Sequence, residues 1–197
     1  MAKIELPYSE IYYYPDFFDS ATSDVLFTEL HREIEWRQDN ITVYGKTHLQ
    51  PRLTAWYADE GLTYTYSNLT MYPNPWIDCL EQIKDKIEFL LNVKFNSVLL
   101  NYYRHGKDSM GWHSDNEPEL GKNPLIASVS FGGERRFMLK TRDKKNPIKS
   151  EISLTHGSLL VMAGETQHYW LHQIPKTSKS VKPRINLTFR LINQELQ

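Results

Sequence analysis

The chain of 197 residues lacks several features that mark secreted or membrane proteins. Its single cysteine, Cys79, excludes an internal disulfide and fits a reducing, intracellular compartment, cytoplasmic or, in a eukaryote, nuclear. It has no run of 18 apolar residues, and its N-terminus lacks the basic and apolar regions of a signal peptide, which disfavours membrane spanning and secretion. The formal net charge of -1 argues against nonspecific nucleic-acid binding by the whole surface.

The composition predicts a single globular domain. Hydrophobic residues make up 40% of the chain and charged residues 24%, so a chain of this length can bury a full core and disorder is disfavoured. We expect a monomer that makes no contact with membranes.

Two amphipathic helices are predicted in the first half of the chain, in "TSDVLFTELHREIEW" and in "PWIDCLEQIKDKIEFLL". The second is expected to begin at Pro75, a residue favoured at the first helical position. The apolar positions of the two core faces are Leu26, Leu30 and Ile34, then Leu80, Ile83, Ile87 and Leu90.

Short apolar or alternating runs replace the helical pattern from Ser97 onward. They are "SVLLNYY", "LIASVSF", "RFMLK", "SLLVM", "HYWLHQI" and "RINLTFRLI". Several short strands in one unit predict a sandwich, barrel or jelly roll, and "SFGGERRF" indicates a hairpin at Gly132 and Gly133. The predicted fold class is therefore mainly β, with helices in addition (α+β).

The last predicted strand separates apolar from hydrogen-bonding side chains. In "RINLTFRLI" one face is apolar, whereas Arg184, Asn186, Thr188 and Arg190 lie on the other. The pattern alone favours a half-exposed strand with its polar face in water. The alternative is a polar face that lines a small barrel and binds an anion. Asn101 and Tyr103 share a face in the same way.

Basic residues are concentrated in two segments of this nearly neutral chain. The first contains Arg135, Arg136, Lys140, Arg142, Lys144, Lys145 and Lys149, and the second contains Lys176, Lys179 and Lys182. Such segments would contact phosphates, although a solvated loop is the more common explanation.

The segment "GWHSDNE" places two metal-ligand types on one face of an extended chain. His113 and Asp115 are two positions apart, so a single ion could contact both. His156, His168 and His172 are the candidates for a third ligand. Two histidines and a carboxylate leave coordination positions open, as in non-haem Fe(II) oxygenases, and zinc hydrolases use the same ligands.

Several ordered motifs carry a resemblance to a known family. They are "NYYRHGKDSMGWHSDNEPELGKNPLIASVSFGGERRF", "HGSLLVMAGETQHYWLHQIPK" and "PRINLTFR". Together they closely resemble the AlkB family of iron- and 2-oxoglutarate-dependent nucleic-acid dealkylases, nearest to its animal DNA-repair homologues, from about Val43 to Arg190. The resemblance implies a jelly-roll (double-stranded β-helix) core at 97–192. It also implies packed outer helices and a nucleotide-recognition lid within 1–96.

The resemblance implies an Fe(II) site, with 2-oxoglutarate and O2 as co-substrates. The family's triad falls on His113, Asp115 and a later histidine, for which "YWLHQIP" selects His172. Strand parity does not separate His168 from His172, since both would share a face of one strand. The position of His156 in the family is structural.

The 2-oxoglutarate positions implied by the resemblance lie on the polar strand faces: Asn101, Tyr103, Arg184, Thr188 and Arg190, with Asn186 alongside. Arg184 would bind the distal carboxylate and Arg190 the end near the metal. The two are six residues apart, roughly 20 Å along an ideal strand, so strand curvature or an indirect role is expected for one of them.

The activity implied by the resemblance is oxidative demethylation of N-alkylated bases such as 1-methyladenine and 3-methylcytosine in DNA. Formaldehyde, succinate and CO2 would be released in this direct-reversal repair. The alternatives are an RNA demethylase or protein hydroxylase with the same chemistry, and a noncatalytic nucleic-acid-binding module.

Substrate contacts implied by the resemblance fall on Tyr44, Lys46, Arg52, Tyr64, Tyr66, Asn116 and Glu117. "ITVYGK" is similar to a hairpin that inserts an aromatic wedge into stacked bases, with Tyr44 as the wedge. Arg52 would contact substrate or brace the lid. Relatives carry Asp where Asn116 stands, so an altered preference for cationic bases is expected, with Glu117 as the nearby charge.

Overall fold

The structure, a computed structural model, describes residues 1–43, 45–62, 64–66 and 69–193, except for the side chains at 42, 43, 46, 64–66 and 69–71. The helices of this part are α1 (Ser20–Glu33), α2 (Asp78–Leu91) and the single turn α3 (Thr166–Tyr169), with a 3-10 turn at Pro118–Leu120. Its strands are β1 (Ala2–Ile4), β2 (Glu10–Tyr14), β3 (Asn40–Val43), β4 (Lys46–Leu49), β5 (Leu53–Ala58), β6 (Tyr64–Tyr66), β7 (Leu69–Met71), β8 (Ser97–Tyr103), β9 (Met110–His113), β10 (Ile126–Gly132), β11 (Arg135–Thr141), β12 (Lys149–Leu154), β13 (Ser158–Ala163), β14 (Trp170–Ile174) and β15 (Arg184–Arg190).

The long helices occupy the segments that the apolar spacing predicts, with shifted ends. Asp19 caps α1 by accepting a 2.8 Å hydrogen bond from the backbone N–H of Thr22. Helix α2 begins at Asp78 and not at Pro75, because the backbone of Asn74 is hydrogen-bonded to Trp56 and Ala58 in β5 and holds the chain extended. No described helix has both the length and the apolar content that crossing a bilayer requires.

Two antiparallel sheets form the predicted jelly-roll core. The larger sheet has the strand order β1-β2-β13-β10-β15-β8-β5, and the smaller has the order β12-β11-β14-β9. Two hairpins, β3–β4 and β6–β7, lie outside these sheets, and the first confirms the hairpin predicted for "ITVYGK". Strands β1, β2 and β5 come from the first half of the chain, so the larger sheet extends beyond the core expected from residues 97–192.

The larger sheet is covered on both faces. On one face, Leu26 and Leu30 of α1 and Ile83 and Ile87 of α2 join the sheet residues of a continuous apolar cluster. On the other face, a second cluster joins the larger sheet to Phe137, Leu139 and Trp170 of the smaller one. The helices therefore lie outside the core as predicted, and the space between the sheets remains for a site.

Strand β15 corrects the prediction of a half-exposed strand. All seven of its residues are buried. Ile185, Leu187 and Phe189 join the cluster beneath the helices, so Arg184 and Arg190 face the space between the sheets. The alternative of a polar face lining a barrel is therefore the one that the structure adopts.

The predicted hairpin at Gly132 and Gly133 is wrong. Strand β10 pairs with β13 and β15, whereas β11 pairs with β12 and β14, so these glycines carry the chain from one sheet to the other. The Gly133 N–H donates to the carbonyl of Pro183 at 2.7 Å. Gly132 has φ +87, and a Cβ there would overlap the same carbonyl oxygen and the ring of Phe27.

The predicted strand "HYWLHQI" is also interrupted. Thr166–Tyr169 forms α3, and the Thr166 hydroxyl donates a 2.6 Å hydrogen bond to the carbonyl of Ala163 that tightens this turn. Strand β14 then begins at Trp170. Because His168 lies in the helical turn, the expectation that it shares a strand face with His172 is wrong.

Replacement of Gly132 by alanine is expected to lower the free energy of unfolding by about 2 kcal/mol or more, because the left-handed backbone and the Pro183 carbonyl both oppose a side chain. Chemical denaturation measures the change. Gly111→Ala is the control, since a Cβ there meets no atom within 4 Å. Equal stability of the two variants would contradict the steric explanation.

Candidate metal and co-substrate site

Three side chains meet between the sheets as a compact set of metal ligands. His113 ends β9 and is the direct cross-strand partner of His172 in β14, while Asp115 follows β9 by two residues. Their ligand atoms all lie within 4.8 Å of one another, and Asp115 and His172 are buried. With metal–ligand bonds of about 2.0–2.2 Å, one ion can contact all three after small adjustments.

The hydrogen bonds and burial of the two histidines suit metal binding. Nδ1 of His113 lies 2.8 Å from the carbonyl oxygen of Gly111, and since a carbonyl only accepts, Nδ1 is the donor and Nε2 is the nitrogen left for a metal. Burial lowers the pKa of His172 to about 3, assisted by the neighbouring His113. His172 is therefore neutral at physiological pH, as a metal ligand must be.

Asp115 is held as an anion by its neighbours. Burial by itself raises its pKa, but favourable electrostatic interactions, the largest of them with the charge of Arg190, outweigh that effect, so its pKa lies below the ordinary value. Arg190 donates a 2.8 Å hydrogen bond to Oδ1. Gln167 fixes the backbone by accepting a 2.9 Å hydrogen bond from the Asp115 N–H.

The triad opens into a cavity of about 40 Å³ between the sheets. The lining includes every predicted 2-oxoglutarate position: Asn101, Tyr103, Arg184, Asn186, Thr188 and Arg190. Arg190 is paired with Asp115, which places it at the metal end, whereas Arg184 is at the opposite end of β15. The structure thus brings the six residues and the three metal ligands to one cavity.

Arg184 is a buried cation with unused hydrogen-bond donors. Only 1% of the residue is exposed, and Nη2 donates to the Ser130 hydroxyl at 2.9 Å, yet Nε and Nη1 have no partner among the described residues. Burial lowers its pKa to about 10, and the guanidinium lies 5.2 Å from the ring centroid of Tyr103. A buried guanidinium with two nitrogen donors unused fits a carboxylate, so the residues present suit a dicarboxylate co-substrate.

Of the residues predicted to contact substrate, Asn116 and Glu117 lie next to the metal-ligand triad. Asn116 is exposed beside the triad, where its Oδ1 accepts a 3.0 Å hydrogen bond from Ser114. Glu117 has a buried Oε2 without a hydrogen-bond partner in the described part of the chain. Tyr44 lies outside the described residues, as do the side chains of Lys46, Tyr64 and Tyr66.

Arg52 is buried beside the cavity. Its Nε donates to Oδ1 of Asn101 at 2.6 Å, and its Nη1 donates to the carbonyl of Ser109 at 3.3 Å. Of the two roles that the sequence leaves open, this geometry favours bracing, here between β8 and the segment that precedes β9. A direct substrate contact by Arg52 stays a prediction.

The other candidate histidines lie apart from the triad. His168 is exposed, with Nε2 2.9 Å from Oδ1 of Asn123. His156 accepts a 2.8 Å hydrogen bond from the Gly132 N–H through Nδ1, which fits its expected structural role. Within the described residues, His113, Asp115 and His172 form the group able to hold a metal ion.

Sequence patterns missed several residues that shape the site. The hydroxyls of Ser128 and Ser130 accept hydrogen bonds from Asn186 and Arg184 on the polar face of β15, and the alternation of the two serines in "LIASVSF" is the sequence signal for them. Gln167 carried no signal, because its role depends on the turn α3. Arg135 belongs to a segment that the sequence predicts to contact phosphates or to form a solvated loop, but it is buried and donates to the carbonyls of Asp108 and Pro175 at 2.9 and 2.6 Å.

A comparison with protein families defines the class. The model of the 2OG-Fe(II) oxygenase superfamily matches residues 10–190, so the chain belongs to this superfamily. Within it the relatives are AlkB homologues, as the motifs predicted. The predicted cofactor Fe(II) and co-substrate 2-oxoglutarate are those after which the superfamily is named.

Two relatives from Bos taurus show the extent of the similarity. The chain is 45% identical over 186 residues to alpha-ketoglutarate-dependent dioxygenase alkB homolog 3, and 42% identical over 188 residues to DNA oxidative demethylase ALKBH2. These alignments cover 90% and 91% of the chain. They cover 64% and 68% of the relatives, so the chain spans slightly less than two thirds of the first.

A solved structure, "The structure of OsALKBH1", matches with a TM-score of 0.64 over 96% of this chain and 99% of that chain. Its sequence identity is 15%, so the likeness concerns the fold, and it confirms the predicted jelly roll.

His172→Ala is expected to weaken Fe(II) binding by more than roughly 100-fold, because a metal ligand itself is lost. Loss of a residue that only hydrogen-bonds a ligand typically weakens metal binding by roughly 10- to 100-fold. Anaerobic titration of His172→Ala with Fe(II) or Co(II) measures the change. His168→Ala is the matched control and should bind as the wild type does. Weakened binding in His168→Ala with normal binding in His172→Ala would reverse the assignment.

Arg184→Met is expected to weaken 2-oxoglutarate binding by about 100-fold, because the buried charge partner of a carboxylate is lost. Without co-substrate, its free energy of unfolding should equal or exceed that of the wild type, since a poorly paired buried charge is removed. Calorimetric titration and denaturation measure the two effects. Arg136→Met, which removes an exposed arginine of β11, is the control; equal 2-oxoglutarate affinity in both variants would contradict the assignment.

Proposed function

We propose that this chain is an Fe(II)- and 2-oxoglutarate-dependent demethylase of N-alkylated bases in nucleic acid, with methylated DNA as its substrate. The observation that carries the proposal is the cavity shared by the His113, Asp115 and His172 triad and the buried, incompletely bonded Arg184. The relative named DNA oxidative demethylase supports the choice of DNA.

One set of residues would bind the metal and another set would bind the co-substrate. His113, Asp115 and His172 would hold Fe(II), and Arg184, Tyr103 and Asn101 would hold the distal end of 2-oxoglutarate. When bound, Fe(II) supplies the oxidation of an N-methyl group by O2, coupled to conversion of 2-oxoglutarate to succinate and CO2. The hydroxymethyl product then loses formaldehyde and leaves the unmodified base.

The chain's contribution is to orient the reactants and to exclude water. Arg190 keeps the Asp115 carboxylate ionised and aimed, and the Gln167 amide fixes its backbone. The apolar cluster on both sides of the cavity limits water, which strengthens each of these electrostatic contacts. No side chain of the site is required as a nucleophile.

The two residues that follow the ligand Asp115 in the chain would contact the methylated base. Asn116 and Glu117 lie directly after Asp115, and the buried Oε2 of Glu117, which has no partner among the described residues, is available to accept a hydrogen bond from an exocyclic amine. A methylated base must leave the helix stack to reach such a site. Tyr64 and Tyr66 are proposed to stack against it, and Tyr44 and Lys46 to contact the surrounding strand.

Incubation with Fe(II), 2-oxoglutarate and oligonucleotides that carry 1-methyladenine or 3-methylcytosine is expected to release formaldehyde and restore the bases. Formaldehyde release and mass spectrometry measure the reaction on single- and double-stranded DNA and on matched RNA. Asp115→Ala should be inactive, and His168→Ala should retain wild-type turnover. Repair of RNA alone would replace DNA as the substrate, and no repair of any oligonucleotide would refute the proposal.

A further inference from the structure

Two tyrosines form a stacked pair on the surface, outside the residues assigned to the base pocket. Tyr8 lies between β1 and β2, and Tyr169 ends α3. Their ring centroids are 4.7 Å apart with an interplanar angle of 23°. Tyr8 is 65% exposed and Tyr169 is 43% exposed, so the pair presents aromatic surface to solvent.

The position of Tyr8 is held by the protein core. The indole Nε1 of Trp170, a fully buried residue, donates a 2.9 Å hydrogen bond to the carbonyl of Pro7. Tyr8 itself has φ +54, a left-handed conformation that is uncommon for a bulky residue and costs free energy. The stacked ring of Tyr8 is therefore attached to a backbone in an unfavourable conformation. Because the ring is exposed, its burial does not offset that cost.

A basic hairpin borders the stacked pair. We use this name for residues 140–149, where β11 runs into β12 and where Lys140, Arg142, Lys144, Lys145 and Lys149 stand against the single acidic residue Asp143. The Arg142 N–H donates to the carbonyl of Tyr169 at 2.9 Å, so the two features adjoin. These cations favour a polyanionic partner over an apolar protein surface.

The same arginine connects the pair to the metal site. Nη2 of Arg142 donates a 2.5 Å hydrogen bond to the hydroxyl of Ser114, the residue between His113 and Asp115. Lys140 lies 4.3 Å from the ring centroid of Trp112, the residue before His113. The stacked tyrosines, the basic hairpin and the segment that carries two metal ligands are therefore directly linked.

We propose that Tyr8 and Tyr169 form a stacking platform for an unpaired nucleobase that flanks the reacting base, with Arg142 and the lysines of the basic hairpin neutralising the adjacent phosphates. Alternating aromatic and cationic groups are how proteins bind single strands without reading their sequence, because every base has a π face. This inference rests on the proposed function for the choice of nucleic acid. It assigns a second contact that favours single-stranded substrates.

The test is binding of a fluorescein-labelled, unmodified 12-nucleotide single strand to the Fe(II)-loaded protein, measured anaerobically by anisotropy. Tyr8→Ala and Tyr169→Ala should each weaken binding by about five- to tenfold. Tyr8→Trp should retain affinity and Tyr8→Leu should lose it, which separates stacking from packing. Phe89→Ala is the matched control, because Phe89 is 91% exposed on α2 and should not contribute.

Salt dependence separates the contributions of rings and charges. Arg142→Gln should reduce the slope of log affinity against log salt by about 0.7, the value for one phosphate contact on a single strand, whereas Tyr8→Ala should leave the slope unchanged. Equal binding by the wild type, Tyr8→Ala and Tyr8→Leu would overturn the platform, as would the absence of single-strand binding by the wild type.

Turnover distinguishes failure of the platform from failure of the proposed function. If the platform exists, Tyr8→Ala should raise KM for a methylated 12-mer and leave KM for a methylated trinucleotide and kcat for both near wild type. Demethylation by the wild type with unaltered KM in Tyr8→Ala would refute the platform alone. Tyrosine-dependent binding without any demethylation would refute the proposed function and retain the platform.

Discussion

The buried ion pair between Asp115 and Arg190 is the interaction on which the site depends. Both side chains are almost inaccessible to water. In such a buried site an unpaired carboxylate would take up a proton and cease to be an anionic ligand. The 2.8 Å contact keeps the charge on Asp115 and fixes which oxygen remains for a metal. Because Arg190 ends β15, this one contact also ties the segment after β9, in the smaller sheet, to the centre of the larger sheet.

The polar face of β15 explains how the site and the core coexist. Its apolar residues complete the cluster beneath α1 and α2, while its polar residues project into the space between the sheets. On that face Arg184 and Asn186 donate to Ser130 and Ser128 of β10, Thr188 donates to Asn186, and Arg190 donates to Asp115. Nε and Nη1 of Arg184 are the exception, since they are buried without a partner among the described residues. A bound carboxylate would accept hydrogen bonds from them.

The sequence predicted what depends on local periodicity and missed what depends on contacts between distant segments. Alternation in "RINLTFR" identified the polar face, but only the covering second sheet shows that this face is buried. The alternation of side chains along a strand could not identify the third metal ligand, since α3 breaks the assumed strand between His168 and His172. Gly132 and Gly133 resemble a hairpin turn locally, and the Pro183 carbonyl that redirects the chain comes from a distant segment. Arg135 looked like a surface cation for the same reason.

The pairing of His113 with His172 has a consequence for the order of the smaller sheet. Strand β9 is one of the two edge strands of that sheet, four residues long, and a register irregularity follows the histidine pair. A slip of one residue would turn His113 away from the cavity, because side chains alternate between faces. An ion held by His113 and His172 would crosslink the two strands at this edge, so metal affinity and local unfolding of Met110–His113 would be linked equilibria.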